Sequence, residues 1–396
     1  MLTPSYLAGV SSEVVLIFSE VEDEIAGDIA RRLAKMGGMS ETSILQYKKA
    51  YELGLFRGDV SKILSRTSKV SSRQVKKLMA EAAATSLGYD DRVYRAMGLD
   101  PVPLSNSPVL QALLLHGTEN SLSLLQNLTK TTATASTLAY QRLLDKTFIK
   151  ILSGAYSPSQ AITQAIKELA SKGVTKVAYP SGYSDSIESS VRRAVTTGIN
   201  QSISKLQLAR CEEMGTDLVE VSAHSGARPT HAEWQGRVYS LSNPTREYPD
   251  FYSSTGYGDG DGLCGWNCNH NFFPFFKGLS TRAFSSDPAK DAGKNNDEEY
   301  ERQQKQRYYE RKIREAKREC STINEAIKGA TSTEVEEALK ADFSRASVKL
   351  KNRERALKDF IYETGRTRDT SREQTGGFDR SVSSKAVWAN RKARNG

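Results

Sequence analysis

In Asp217-Leu218-Val219-Glu220-Val221-Ser222-Ala223-His224, the apolar residues Val219, Val221 and Ala223 alternate with Glu220, Ser222 and His224. That is the two-residue repeat of a strand, and it separates an α+β chain from an all-helical one. A tight Gly226-Ala227-Arg228-Pro229 turn follows. Thr230 with Glu233 three residues on has the form of a capping box, which predicts a short helix beginning near His231. Arg237 to Leu241 reads as a returning strand. Residues 242–265 read as a long loop, and its Gly258-Asp259-Gly260-Asp261-Gly262 core reads as a flexible surface segment. With the aromatic run Phe272-Phe273-Pro274-Phe275-Phe276, residues 215–280 are expected to form a small α+β unit.

Upstream the period is helical. From Ser11 to Lys35, Val14, Phe18, Val21, Ile25, Ile29 and Leu33 recur every three or four residues, and Gly37-Gly38 ends the pattern. Further helices are predicted over residues 41–65 and 72–97, before Asp100-Pro101-Val102-Pro103 breaks the chain. Residues 108–152 read as helical, Ser157-Pro158 opens another helix to about Ser171, and residues 184–214 read as one more; Ser153-Gly154 and Ser181-Gly182 punctuate this block.

Downstream, Tyr309, Ile313, Ala316, Cys320, Ile323 and Ile327 have heptad spacing. After Gly329-Ala330 and a Thr333/Glu336 capping pair, Leu339, Phe343, Ala346, Leu350, Leu357 and Phe360 continue in register, with Arg353 interrupting. Two such helices and a short turn predict an antiparallel hairpin. Beyond Thr364 no period is visible, and a flexible tail is expected. The predicted fold is therefore α+β and mostly α-helical. Its parts are an N-terminal helical region (1–105), a second helical region (106–214), the small His/Cys unit (215–280), a basic helical hairpin (281–365) and a flexible basic tail (366–396).

The chain has 396 residues and a net charge of +9, all of it C-terminal: residues 301–396 carry 24 Lys and Arg against 15 Asp and Glu, and the first 300 residues are neutral. A basic arm on a neutral body suits DNA or an acidic protein surface, although its cations also alternate with seam positions as a solvated helix face would. Within the tail, Arg391-Lys392-Ala393-Arg394 is the favoured DNA contact. The longest apolar run near the start, Val14 to Phe18, is far short of the roughly 20 residues of a membrane span, so no membrane association is expected. Met1 to Tyr6 lacks the cationic and apolar regions of a secretory signal, and the chain is expected to stay where it is made. Cys211, Cys264, Cys268 and Cys320 are too few and too unevenly placed for a disulfide framework.

Three of the four histidines and two of the four cysteines fall between His224 and His270. Cys264-Gly265-Trp266-Asn267-Cys268-Asn269-His270 spaces two thiols as zinc ligands are spaced. His231, Cys264, Cys268 and His270 form the candidate zinc set, with His224 as alternate ligand. Two other readings use the same residues. In one, the cysteines are small hydrophobes packing a loop-rich core. A Cys-His hydrolase would use Cys268 or Cys264 as nucleophile, His231 or His224 as base and Glu233 or Asp250 as orienter. No G-x-S-x-G, G-x-x-x-x-G-K-[ST] or H-E-x-x-H occurs, and the glycine-rich loop lacks the spaced carboxylates of a calcium loop. His116 reads as a helix-end residue and Cys320 as core.

The stretch Val221 to Gly236, with His224, Gly226, Arg228-Pro229, His231 and Trp234-Gln235, is followed by Tyr248 to Phe251, Thr255 to Gly258 and Leu263 to His270. Together these closely resemble the phage minor capsid protein 2 family, itself similar to Mu-F-like head morphogenesis proteins. The resemblance extends over most of the chain, to Thr364-Gly365. It implies a structural, non-enzymatic protein of a tailed-phage head, present in the virion and in the host cytoplasm during assembly. The implied place is the portal vertex, in multiple copies, with the portal protein and major capsid protein as partners. On that reading the N-terminal helices supply contact surface, the His/Cys unit is a rigid core, and the basic C-terminal arm faces packaged DNA or scaffold. The competing class is the Cys-His hydrolase, active in head maturation.

Overall fold

The computed structural model describes residues 1–40, 43–44, 51–174, 176–178 and 184–395. The chain is mostly α-helical with a small amount of sheet. Its elements in order are α1 (Pro4–Gly9), α2 (Ser12–Lys35), α3 (Tyr51–Ala96), α4 (Pro108–Leu152), α5 (Pro158–Lys172), β1 (Lys176–Ala178), β2 (Ser184–Ser186) and α6 (Ile187–Glu213). Then come β3 (Leu218–Val221), α7 (Pro229–Ala232), β4 (Val238–Ser240), α8 (Phe251–Thr255), β5 (Phe272–Pro274), α9 (Pro288–Asp291), α10 (Asn296–Gly329), α11 (Thr333–Thr364) and α12 (Arg380–Asn395). Among the described residues, no helix is long and apolar enough to cross a membrane.

The residues sort into two compact units, each assembled from separated segments. The first comprises Met1–Val14, Ser71–Gln126 and Val191–Lys305. Its centre is an antiparallel sheet in the order β4-β3-β5, with Val219 opposite Tyr239 on one side and Pro274 on the other. As the middle strand, β3 is covered on both faces. Val219 and Val221 enter a core with Trp234, Tyr239, Phe251 and Phe272, while Glu220 is wholly buried as well. Burial raises the Glu220 carboxyl above its usual range, and its two oxygens accept the backbone N–H groups of Ala283 (3.1 Å) and Phe284 (2.8 Å). The alternation of Val219 to Ala223 thus identified the strand, but the polar side is not solvent.

The second unit comprises Val15–Val70, Asn127–Ser190 and Gln306–Gly396. α10 and α11 form the predicted antiparallel hairpin: Lys349 pairs with Glu319 at 2.6 Å, and Arg353, four residues on, pairs with Glu315, four residues back. Ile313, Ala316, Cys320 and Ile323 face Leu339, Phe343, Ala346 and Leu350 in one core, which α2 and α5 complete with Ile25, Ile29, Ile162 and Ile166. Arg353 breaks the apolar seam because its guanidinium donates to the Lys312 carbonyl at 2.5 Å.

Several local expectations are corrected. Instead of one helix to Ser65 and another from Ser72, α3 runs unbroken from Tyr51 to Ala96; residues 41–42 and 45–50 of the predicted helix lie outside the described residues, as does Ser181-Gly182. The Ser- and Thr-rich middle contains neither Gly nor Pro to break the helix, and Thr67 satisfies its buried hydroxyl on the Ile63 carbonyl within it. Neither Thr230 nor Thr333 serves as a cap: α7 starts from Arg228 and α11 from Ser332, both without a side-chain capping bond. Ser157 does form a full capping box, with Gln160. His116 lies inside α4, not at a helix end, with its Nε2 3.0 Å from the Asn120 amide.

The expected flexible tail is also corrected. Residues 370–373 form a 3₁₀ turn, and α12 packs Val382, Ala386 and Ala389 into the core of the second unit. The four- and three-residue spacing was present, but two of its three positions are alanine, so the stripe is weakly apolar and reads as polar sequence.

Candidate functional site

His224, His231, Cys264, Cys268 and His270 meet where α7, the 256–271 loop and the end of β3 converge. The loop is held from behind by α6, whose Thr197, Asn200, Ser204 and Gln207 form a polar stripe at helical spacing. Thr197 Oγ1 accepts from the Asn267 backbone N–H at 3.1 Å. The Asn200 amide donates to the carbonyls of Cys268 (3.1 Å) and His270 (2.9 Å) and accepts from the Asn271 side chain at 2.9 Å. Ser204 Oγ lies 3.0 Å from the Tyr257 hydroxyl, and Gln207 donates to the Phe272 carbonyl. These contacts consume backbone polar groups that burial would otherwise strand.

The glycine-rich loop lies at the surface as expected, with Gly258, Asp259 and Asp261 exposed, but it is an ordered part of this site. A Cβ on Gly260 would collide with the Trp266 indole, and one on Gly262 with the Gly256 carbonyl, so the turn closes only with glycine there. The closed turn puts the Asp261 carbonyl 2.7 Å from His231 Nε2. Leu263 and Cys264 are buried directly behind it.

His231, Cys268 and His270 come together, each no more than 3% exposed. Cys268 Sγ is 3.8 Å from His231 Nδ1 and 3.6 Å from His270 Nδ1, and the three donor atoms lie within 4.8 Å of one another. Cys264 does not join them. Its thiol donates toward the His270 carbonyl at 3.7 Å, and its backbone sits in the left-handed region at φ 61°. His224 stacks on His270 with ring centroids 4.6 Å apart and turns its own Nδ1 to the Ser225 carbonyl at 3.2 Å.

Burial sets the protonation states. It lowers His231 to about 4 and His270 well below the ordinary imidazole value, where the neighbouring His224 adds to the effect. Burial also raises Cys268 to about 11 and Cys264 well above the usual thiol value. Uncoordinated, the site therefore holds neutral imidazoles and thiols, whereas a cysteine nucleophile needs a thiolate at neutral pH. The proposed orienters are elsewhere. Glu233 is exposed, and Asp250 caps α8 by accepting the Ser253 N–H at 2.7 Å.

Gln235 carried part of the resemblance but no site role, and the Asp261 carbonyl and Asn200 were not singled out from the sequence. Gln235 follows Trp234 in the motif, and the α6 stripe has helical spacing but lies in a helix with many other polar residues.

The family model for phage minor capsid protein 2 matches residues 2–362. The chain belongs to that family. It is also 26% identical over 271 residues to a protein of Lactococcus phage LL-H named a structural protein, an alignment covering 66% of this chain and 63% of the relative. The chain thus spans somewhat less than two thirds of that relative's length. No solved structure matches it. Both names place this minor capsid family member among phage structural proteins, in line with the resemblance carried by the residues from Val221 to His270.

Proposed function

We propose that the chain is a structural minor capsid protein of a tailed-phage head, acting at the portal vertex during assembly in contact with the portal and major capsid proteins. The observation that carries this reading is the family match over residues 2–362. A structural role is further supported by the burial of the His/Cys cluster, where thiols without a metal stay protonated.

Contact with packaged DNA is part of the proposal, with its place narrowed to α12. Most cations of the hairpin are already engaged: Arg314 and Arg318 with Glu188, Lys340 with Glu336 and Glu337, Lys349 with Glu319, Lys351 with Glu354. Arg391 and Lys392 are exposed on α12, and Lys392 lies over the largely exposed Trp388 ring at 5.6 Å. A cation beside an exposed aromatic suits a phosphate backbone without base specificity.

The test is cross-linking and cryo-EM of heads from a phage carrying this gene. The protein should be in purified heads, cross-linked to portal subunits; its absence from heads would overturn the role, and its dispersal over the shell would overturn the vertex. For DNA, the full-length chain should bind duplex weakly and lose binding steeply with salt, and Arg391→Ala with Lys392→Ala should flatten that dependence. No binding at low salt would remove DNA from the proposal.

A further inference from the structure

The hydrogen bonds around His231 and His270 leave no freedom in which ring nitrogen carries the proton. A backbone carbonyl only accepts, so His231 must donate from Nε2 to the Asp261 oxygen. Gln235 Oε1 accepts the His224 backbone N–H at 3.0 Å, which orients the amide, so His270 must donate its Nε2 proton to that same oxygen at 3.0 Å. Both neutral rings therefore turn an unprotonated Nδ1 toward Cys268 Sγ. The thiol has one proton, and donation to either Nδ1 leaves the other lone pair facing sulfur in a site closed to solvent. The cluster has more acceptors than protons to fill them, and a cation would satisfy all three at once.

We infer that Cys268 Sγ, His231 Nδ1 and His270 Nδ1 are the protein ligands of a zinc ion, and that Cys264 is not a ligand. The spacing fits. With Zn–N of about 2.05 Å and Zn–S of about 2.3 Å, a tetrahedral N···S edge is about 3.6 Å, against the 3.6 and 3.8 Å found here. One sulfur and two imidazoles suit zinc better than the hard cations that prefer oxygen. The surroundings fit as well. Each histidine gives its other ring N–H to a fixed oxygen, the arrangement that orients metal-bound imidazoles. The His270 backbone N–H points at Cys268 Sγ at 3.4 Å, where it would stabilise a thiolate. Among the described residues no further histidine, cysteine or carboxylate joins the group, so Cys264, included on sequence spacing alone, keeps its thiol on the His270 carbonyl. This inference stands apart from the assembly role, since a structural capsid protein needs no metal to be one.

The full-length protein, purified after growth with added zinc and dialysed, should retain about one zinc per chain by elemental analysis. Cys264→Ser should retain it, while Cys268→Ala and His270→Ala should each lose it. Cobalt exchanged into the parent should give a thiolate-to-cobalt charge-transfer band that persists in Cys264→Ser. If Cys268→Ala fails to fold, His231→Gln serves as the second ligand variant: a chelator should lower the parent Tm and leave that of His231→Gln unchanged. A parent protein that retains no zinc after loading, or a Cys264→Ser variant that loses metal as fully as His270→Ala, would overturn the assignment.

Discussion

The Arg318 guanidinium lies against the Glu188 carboxylate, with the two side chains only 12% and 5% exposed. Arg314 reaches the same carboxylate at 2.9 Å, and Glu22 and Asp23 stand 3.5 Å from Arg318. The arginines hold Glu188 below the usual carboxylate range despite its burial. Burial dominates at Asp23 and raises it to about 7, although Arg318 and the Gly377 N–H, at 2.7 Å, oppose the shift. Removing the shared cation would leave buried acids uncompensated. Arg318→Met should therefore destabilise the protein by about 3–5 kcal/mol in urea unfolding, and adding Glu188→Gln should restore part of that loss. A change below about 1 kcal/mol would mean the cluster is better hydrated than its burial implies.

Asp90 supplies a pH prediction in the other unit. Burial raises it to about 7, against the lowering effects of its 3.0 Å bond from the Gln207 amide, the chain's amino group and Arg210, while Asp91 adds to the rise. The folded value lies above the unfolded one, so the native state holds the proton longer. The stability from this group is complete below the unfolded pKa of about 4 and is lost as pH rises to about 7. Asp90→Asn removes that slope and leaves the amide an acceptor. The variant should match the parent near pH 4 and exceed it at pH 8 by on the order of 3 kcal/mol. Equal stability of the two proteins at pH 8 would show that Asp90 ionises freely in the fold.

The parts legible in the sequence were those whose signal is local. Val14 to Leu33 and the Ile313 to Ile323 seam declare helices because one face is strongly apolar at the right period, and Val219 to Val221 declares a strand. The α12 helix was missed because Ala386 and Ala389 bury little apolar surface each, so tertiary contact rather than composition stabilises it. The site divided in the same way. Cys268 and His270 are two residues apart in the chain and His231 was a natural partner, but Cys264 looked equivalent by spacing. Only the left-handed backbone at Cys264 and the glycine-built turn before it direct that thiol elsewhere. The Asp261 carbonyl had no sequence signal, because any residue offers one.

Asn200 and Gln235 should matter to stability whether or not metal is bound. Asn200→Ala strands the Cys268 carbonyl and the Asn271 amide and leaves the His270 carbonyl with only the Cys264 and Cys268 thiols. Gln235→Ala strands the donors of His224 and His270. At 1–3 kcal/mol for a buried group left unsatisfied, each variant should lose about 2–4 kcal/mol in chemical denaturation, with helical circular dichroism preserved under native conditions. Losses below about 0.5 kcal/mol would mean that water replaces these side chains.

The docking of α12 is the last relationship open to direct test. Its buried face consists of Val382, Ala386 and Ala389, whereas Val387 and Trp388 on its other side are 48% and 65% exposed. Its approach is fixed by polar contacts: Asp379 caps the Val382 N–H at 2.8 Å, Lys385 reaches the Asn324 side chain at 2.9 Å, and Lys317 donates to the Glu373 carbonyl at 2.9 Å. With so little apolar area, the helix should detach before the hairpin unfolds. Ala386→Asp places an unpaired carboxylate in the buried face, at a cost of several kcal/mol if the helix stays docked. The expected result is undocking: trypsin should cut at Arg380 or Lys385 much faster than in the parent, while Tm changes by only a few degrees. Ala386→Ser, which keeps the size and adds a hydroxyl able to bond back along its own helix, should leave cleavage slow. Rapid cleavage in the parent would mean that α12 is not docked in solution, and a large fall in Tm for Ala386→Asp would make the helix an integral part of the second unit's core.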